Sequence, residues 1–397
     1  MTLPAIPKNR VKPPELPTET DQRRGAKTET HKDHPSSDQS ASNYQVFAGV
    51  QLQQSTLSFV LHNQPNTERR AFVEIPDSLS EQFPVGFMMA SAAINRRGDR
   101  ETVAPSSTQL AAITRLFSSA VFREMARKGR SPLFARLIGL AEIGGQCPDD
   151  ATVGQAFEAA FGVLKTAGRR DEYVYRSALT HNVLMGTHSL NTACMLTEFR
   201  AGACKADLAI LNGTATVYEI KSERDSLARL ANQVENYKRV FAKAYVIAGE
   251  GHVASVLATV PEDVGVMMLS SRYRISTVRE AEDRPDRICP VTVFESLRSD
   301  EAGSILKRLG VPLPDVPNTL RHGVMRDLFQ ALDPTEVHIA MVKTLKRTRD
   351  LSPLSSLVEK LPRSLHAAAL SIQVRRSEHE RIVEAVSTPL GAALAWV

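Results

Sequence analysis

At 397 residues, 42% of them hydrophobic, the chain has room for two or three domains and a sizeable core, with the apolar content of an ordinary soluble globular protein. Four scattered cysteines, Cys147, Cys194, Cys204 and Cys289, form no Cys-x-x-Cys pair, which argues against a zinc site or disulfide framework and fits a reducing cytoplasm. A net charge of +5 is compatible with a polyanionic partner but too small to establish one; the lack of an apolar leader or a long apolar run argues against a signal peptide and a membrane span.

Residues 1–43 are rich in Pro, Lys, Glu, Ser and Thr, and read as a disordered arm. Residues 44–105 hold strand-like pieces, Leu57–Leu61 and Ala71–Ile75, that assemble into no recognisable unit. From 106 to 170 the pattern is helical. Leu110, Ile113, Leu116, Phe117 and Val121 mark one helix, Pro132–Ala141 a second, and Ala151–Ala167 a third, stopped by Gly168.

Residues 171–282 read as an α/β core. A helix near 171–186 precedes strand-like Met195–Arg200, Ala206–Leu211 and Ala215–Lys221. Ser222-Glu223-Arg224-Asp225 resembles a capping box, predicting a helix that starts at once and carries Leu227, Leu230, Val234, Tyr237 and Phe241 on its apolar stripe. Ala244–Ala248 follows as a strand, completing a right-handed crossover to a parallel neighbour. Val266–Leu269 and Tyr273–Val278 complete the sheet. No glycine-rich phosphate loop is present, since Gly249-Glu250-Gly251 lacks the remaining glycine and follows the wrong strand.

Pro285, Pro290, Pro312, Pro314 and Pro317 make 283–317 a linker-like connection around one helix near 302–309. Residues 318–397 read as helical. In Thr335–Arg349 the cations Lys343, Lys346, Arg347 and Arg349 gather toward the end, where the helix dipole favours them; a DNA-gripping helix is the rival reading. This region is also the candidate surface for a homodimer or a protein partner.

The chemistry gathers at the hairpin turn Asn212-Gly213. A two-residue loop would send Asp207 and Glu219 to opposite faces. A three-residue loop, Asn212-Gly213-Thr214 with one residue left-handed, pairs Asp207 with Glu219, and this register is expected. Lys221 shares the face of Glu219 because strand side chains alternate. Two carboxylates about 4 Å apart repel by roughly 4 kcal/mol at an effective dielectric near 20, so a cation belongs between them. Lys221 is one choice. Mg²⁺ is the other, held by Asp207, Glu219 and the Ile220 carbonyl. Gln233 and Tyr237, four apart on the next helix, can reach a substrate phosphate or water. Alone, a Glu-x-Lys triplet suits a solvated surface ion pair better than a metal site.

In order and spacing, Ala206-Asp207, Glu219-Ile220-Lys221, Gln233 and Tyr237 resemble the PD-(D/E)XK nuclease superfamily, and within it a bacterial family of stand-alone members. The likeness covers roughly residues 170–275, with a weaker extension over 108–370. It implies a restriction-endonuclease-like core, a central mixed sheet flanked by helices, with helical additions at both ends. It further implies Asp207 and Glu219 as metal ligands, Lys221 as the catalytic lysine, and Gln233 and Tyr237 as supporting residues. An additional acidic residue is expected ahead of the Asp: Glu198 first, Glu172 second. The function implied is Mg²⁺- or Mn²⁺-dependent phosphodiester hydrolysis, DNA being favoured. The alternative is an inactive nuclease-fold module that binds nucleic acid or a protein.

Overall fold

The computed structural model describes residues 50–53, 56–62, 68–74, 104–166 and 168–397. The arm expected over 1–43 lies outside them. The chain divides into two compact units, Met1–Asp99 and Arg100–Val397.

In the first unit, β1 (Val50–Gln53), β2 (Thr56–His62) and β3 (Glu68–Glu74) form an antiparallel three-stranded sheet in chain order. The two strand-like pieces pair with each other over their described residues, 57–59 with 71–73, Leu57 opposite Val73 and Phe59 opposite Ala71.

The second unit is mixed α/β. Its six strands, β4 (Cys194–Ala201), β5 (Cys204–Asn212), β6 (Thr214–Lys221), β7 (Lys243–Gly249), β8 (Gly265–Leu269) and β9 (Ile275–Arg279), lie side by side in sequence order. β4, β5 and β6 form an antiparallel meander. β7 and β8 then join in parallel through the helices Leu230–Lys238 and Val253–Thr259, and β9 closes the far edge antiparallel. Alternation along each strand gives the sheet two apolar faces. Leu208, Ile210, Tyr218, Ile220 and Ile247 pack with the helices of 107–184 and those beyond 355. Ala209, Leu211, Val217, Val246 and Ala248 pack with the helices between 230 and 348.

Several elements differ from expectation. The helix read through Val121 is two, Ser107–Leu116 and Ser119–Lys128, parted at Phe117–Ser118. The apolar period runs on because both pieces bury the same side. The capping-box sequence at 222–225 makes its local bonds, Ser222 N–H donating to Asp225 Oδ2 at 2.8 Å, yet the helix begins only at Leu230. Residues 283–317, expected to connect, carry two helices, Pro290–Ser296 and Ser299–Arg308, which bury Val293, Phe294, Ile305 and Leu306. Pro290 occupies a first helical position, where its missing N–H costs nothing. Among the described residues no helix is long and apolar enough to cross a membrane.

Candidate active site

The hairpin register sets the site. Leu211 pairs with Ala215 and Leu208 with Tyr218, with Gly213 left-handed at φ 79°. That is the three-residue-loop register. Carried one step further it puts Asp207 across from Glu219, where the ladder ends. There the Asp207 carboxylate takes over as acceptor: Ile220 N–H donates to its Oδ2 at 2.8 Å. Ile220 therefore meets Asp207 through its amide, while its side chain is buried in the opposite face.

Glu219 and Lys221 are 1% and 5% exposed. Lys221 Nζ donates to Glu219 Oε1 at 2.8 Å and to Gln233 Oε1 at 3.0 Å. The Tyr237 hydroxyl lies 2.6 Å from Glu219 Oε2 and 2.8 Å from the Lys205 carbonyl, sharing one proton between them. Burial first, then the charge of Glu219, push the Tyr237 phenol far above its usual range, so it stays a donor. An ammonium has three donors, and among the described residues only two acceptors meet that of Lys221. One N–H is left for an incoming oxygen.

The helix Leu230–Lys238 is tied to the sheet at this point. Asn236 Oδ1 accepts from Ala203 N–H at 3.1 Å in the β4–β5 turn. That turn needs Gly202, whose φ is 60° and where an added Cβ would stand 2.5 Å from Asn236 Oδ1. Gln233 and Tyr237 thus come from a helix fixed at both the turn and the cluster.

Asp207 also meets two glutamates from elsewhere. Carboxylate oxygens of Glu172, Glu198 and Asp207 lie within 4.8 Å of one another. Glu172 opens the helix Glu172–Leu179, capped by Asp171, whose side chain accepts from Val174 N–H at 3.2 Å. Buried Arg170, just before it, donates to the carbonyls of Lys165, Leu269 and Ser271, pinning the helix start over the end of β8. Glu198 lies in β4, where the register between Thr197–Leu208 and Phe199–Ala206 sets it against Asp207. Its φ is 52°, a left-handed residue inside a strand, which costs on the order of 1 kcal/mol or more. Both of the acidic residues weighed as the additional one therefore converge. The backbone departure at Glu198 leaves no signal in sequence.

Burial, then the negative charge of Glu219, hold the Asp207 carboxyl well above the usual aspartate range. Lys221 is directed at Glu219 and Gln233 instead. Arg176 pairs with Glu172, and Lys205 Nζ lies 4.0 Å from Glu198, so the exposed side of the cluster is partly neutralised and its buried side is not. Glu219, expected as a metal ligand beside Asp207, has an oxygen committed to each of Lys221 and Tyr237. The grouped carboxylates are those of Asp207, Glu198 and Glu172.

Fold and site together define a mixed α/β protein carrying a buried Glu–Lys–Gln–Tyr network beside an open carboxylate cluster. The chain belongs to the bacteriophage P4 protein cII family, which matches residues 165–387, more than half of its length and every residue of the site. Protein cII of Enterobacteria phage P4 is 38% identical over 146 residues, 36% of this chain and 53% of that protein, so the chain covers about half of the relative's length. No solved structure matches.

Proposed function

We propose that this protein is a metal-dependent phosphodiesterase of the PD-(D/E)XK type, with a restriction-endonuclease-like core and nucleic acid, DNA foremost, as substrate. The observation that carries the reading is the meeting of Asp207 with Ile220 N–H beside the buried Glu219–Lys221 pair, against the two further carboxylates of Glu172 and Glu198.

The donor set fits a hard divalent ion such as Mg²⁺ or Mn²⁺. Its three grouped side chains offer carboxylate oxygens, the donors such an ion prefers, and burial together with the nearby Glu219 charge disfavours an unpaired Asp207 carboxylate. Asp207, with Glu198 and Glu172, would hold the ion; the Ile220 carbonyl and Glu219 remain further proposed ligands. When bound, it supplies positive charge against the scissile phosphate and makes a nearby water easier to deprotonate.

The chain's own residues do the rest. Glu219 and Gln233 fix the Lys221 ammonium, whose remaining N–H is free to hold a water or a phosphate oxygen as negative charge builds there. Tyr237 donates to the other Glu219 oxygen and so helps hold that carboxylate in place.

A second reading has one observation in its favour. Both Glu219 oxygens are engaged within the protein, as in a purely structural ion pair. On that reading the unit binds nucleic acid or a protein without turnover. The deciding experiment incubates the protein with single- and double-stranded DNA and RNA, with and without Mg²⁺ or Mn²⁺, beside Asp207→Ala. The nuclease reading expects metal-dependent cleavage that Asp207→Ala abolishes. Salt-sensitive binding without turnover supports the module.

A further inference from the structure

We propose that the basic pocket formed by Arg308, Lys343, Lys346 and Arg347 clamps the phosphate backbone of a nucleic acid strand that runs along the β4 edge of the sheet away from the acid cluster. The direction of the strand rests on the nuclease reading. The pocket itself rests on its own geometry.

The pocket has a volume of about 550 Å³, and Asn191 and Asp350 also line it. Lys343, Lys346 and Arg347 stand at i, i+3 and i+4 of the helix Pro334–Thr348, so they share a face. Arg308 ends the helix Ser299–Arg308 and joins them from a second element. Among the described residues none of the four has a carboxylate partner within ion-pair distance. The one acid present, Asp350, is turned to Ser352, whose N–H and hydroxyl donate to it at 2.9 and 2.6 Å. The neighbouring Arg349 is removed from the set by Glu301, which accepts from it at 2.9 Å. A helix dipole accounts for cations in a last turn. It does not account for Lys343, a turn earlier, nor for the two helices directing their cations into one concavity.

The position links the pocket to the site. Asn191 lies just before β4, the outermost strand on its side of the sheet, and Glu198 of the acid cluster lies within that strand. The guanidinium of Arg349 covers Phe199, the next residue, at 5.4 Å. From Cys194 to Glu198 the strand advances about 13 Å at roughly 3.3 Å per residue, close to four nucleotide steps of about 3.4 Å. An open concavity lined by long, unpaired cations suits a row of phosphates held by charge.

The test measures binding of a short DNA duplex without divalent metal, so catalysis plays no part. The variant Arg308→Gln/Lys343→Gln/Lys346→Gln/Arg347→Gln is compared with wild type and with Arg123→Gln/Arg127→Gln, which removes charge at a different concavity. The clamp predicts about tenfold or greater loss of affinity for the first variant, a slope of log K against log salt shallower by about three, and little change for the second. A charge-retaining exchange of Lys for Arg and Arg for Lys at the four positions keeps the binding. Should the fourfold variant fail to fold, Arg308→Gln and Lys343→Gln/Arg347→Gln read the two helices separately. In cleavage assays the variant raises KM for the duplex and leaves turnover of a small aryl phosphodiester unchanged. Wild-type affinity and salt slope in the variant overturn the clamp, as does an equal loss in the Arg123/Arg127 control. If nothing is cleaved by any form, the nuclease reading fails and the binding comparison still decides the pocket.

Discussion

Two carboxylates in the same unit, Glu301 buried and Asp207 half-buried, are answered in opposite ways by their surroundings. Glu301 is fully buried and receives Arg349 through two N–H donors at 2.9 Å, the Thr348 hydroxyl at 3.0 Å and the Arg298 N–H at 2.9 Å. Burial alone would raise its carboxyl; the Arg349 and Arg298 hydrogen bonds and the guanidinium charge outweigh it and hold the group below the usual range. Asp207 has one N–H donor, a second carboxylate across the hairpin, and two more at the rim, and is driven the other way. A carboxylate with every lone pair answered ties two helices together. One left short of positive charge is the group to which the proposal assigns a cation.

The contrast can be broken most sharply at the two basic residues. Lys221→Ala should lower metal-dependent cleavage by about 10²–10³-fold or more, read as kcat on duplex DNA, with the far-ultraviolet dichroism of the folded protein retained. Because Lys221→Ala also strips buried Glu219 of its ion-pair partner, it should lose stability as well, and its turnover is read per folded protein. Arg349→Ala should lower stability alone. It leaves a buried carboxylate unpaired and costs about 3 kcal/mol, read from urea unfolding, while turnover by the remaining folded protein holds. If Arg349→Ala abolished turnover at unchanged stability, the division between the two sites would be wrong.

Stability against pH sharpens the same comparison. The folded carboxyl of Asp207 sits above its unfolded value, so the folded state keeps the proton longer. Its contribution is therefore most favourable below the ordinary aspartate range of about 3.9, and is lost as pH rises through the raised folded value. Asp207→Asn keeps an acceptor for Ile220 N–H and removes that loss. It should raise stability at neutral pH by about 1–2 kcal/mol and flatten the pH profile, measured by urea unfolding across the range. The depressed Glu301 carboxyl has the opposite sign: its contribution is present above the ordinary glutamate range and lost as pH falls.

The smallest effect is expected at Glu198. Replacing a left-handed non-glycine residue with glycine, Glu198→Gly, should add about 0.5–1 kcal/mol of stability in thermal unfolding while weakening divalent-metal affinity. A loss of stability would show that the conformation carries no strain.

The sequence made the sheet legible because its strands are short apolar runs, and the hairpin register legible because Gly213 accepts the left-handed conformation that a three-residue loop needs. Lys221, Gln233 and Tyr237 could be grouped from strand alternation and helical spacing, both local properties. Contacts set by distant elements were not readable in this way. Glu172 reaches Asp207 only because Arg170 ties its helix to the end of β8. The break at Phe117–Ser118 hides in an unbroken apolar period, and the bonds of Ser222 with Asp225 form a turn where the same residues spell a helix start. The prolines of 283–317 suggested a connection, whereas Pro290 starts a helix that enters the core.

The central claim is that uncompensated oxygens around Asp207 hold a divalent ion that serves phosphodiester cleavage. Electron paramagnetic resonance of Mn²⁺ titrated into wild type and into Asp207→Ala tests it most directly. One bound Mn²⁺ per chain in wild type, absent from the folded variant, is the predicted result. The same occupancy in both proteins, or none in either, would contradict it.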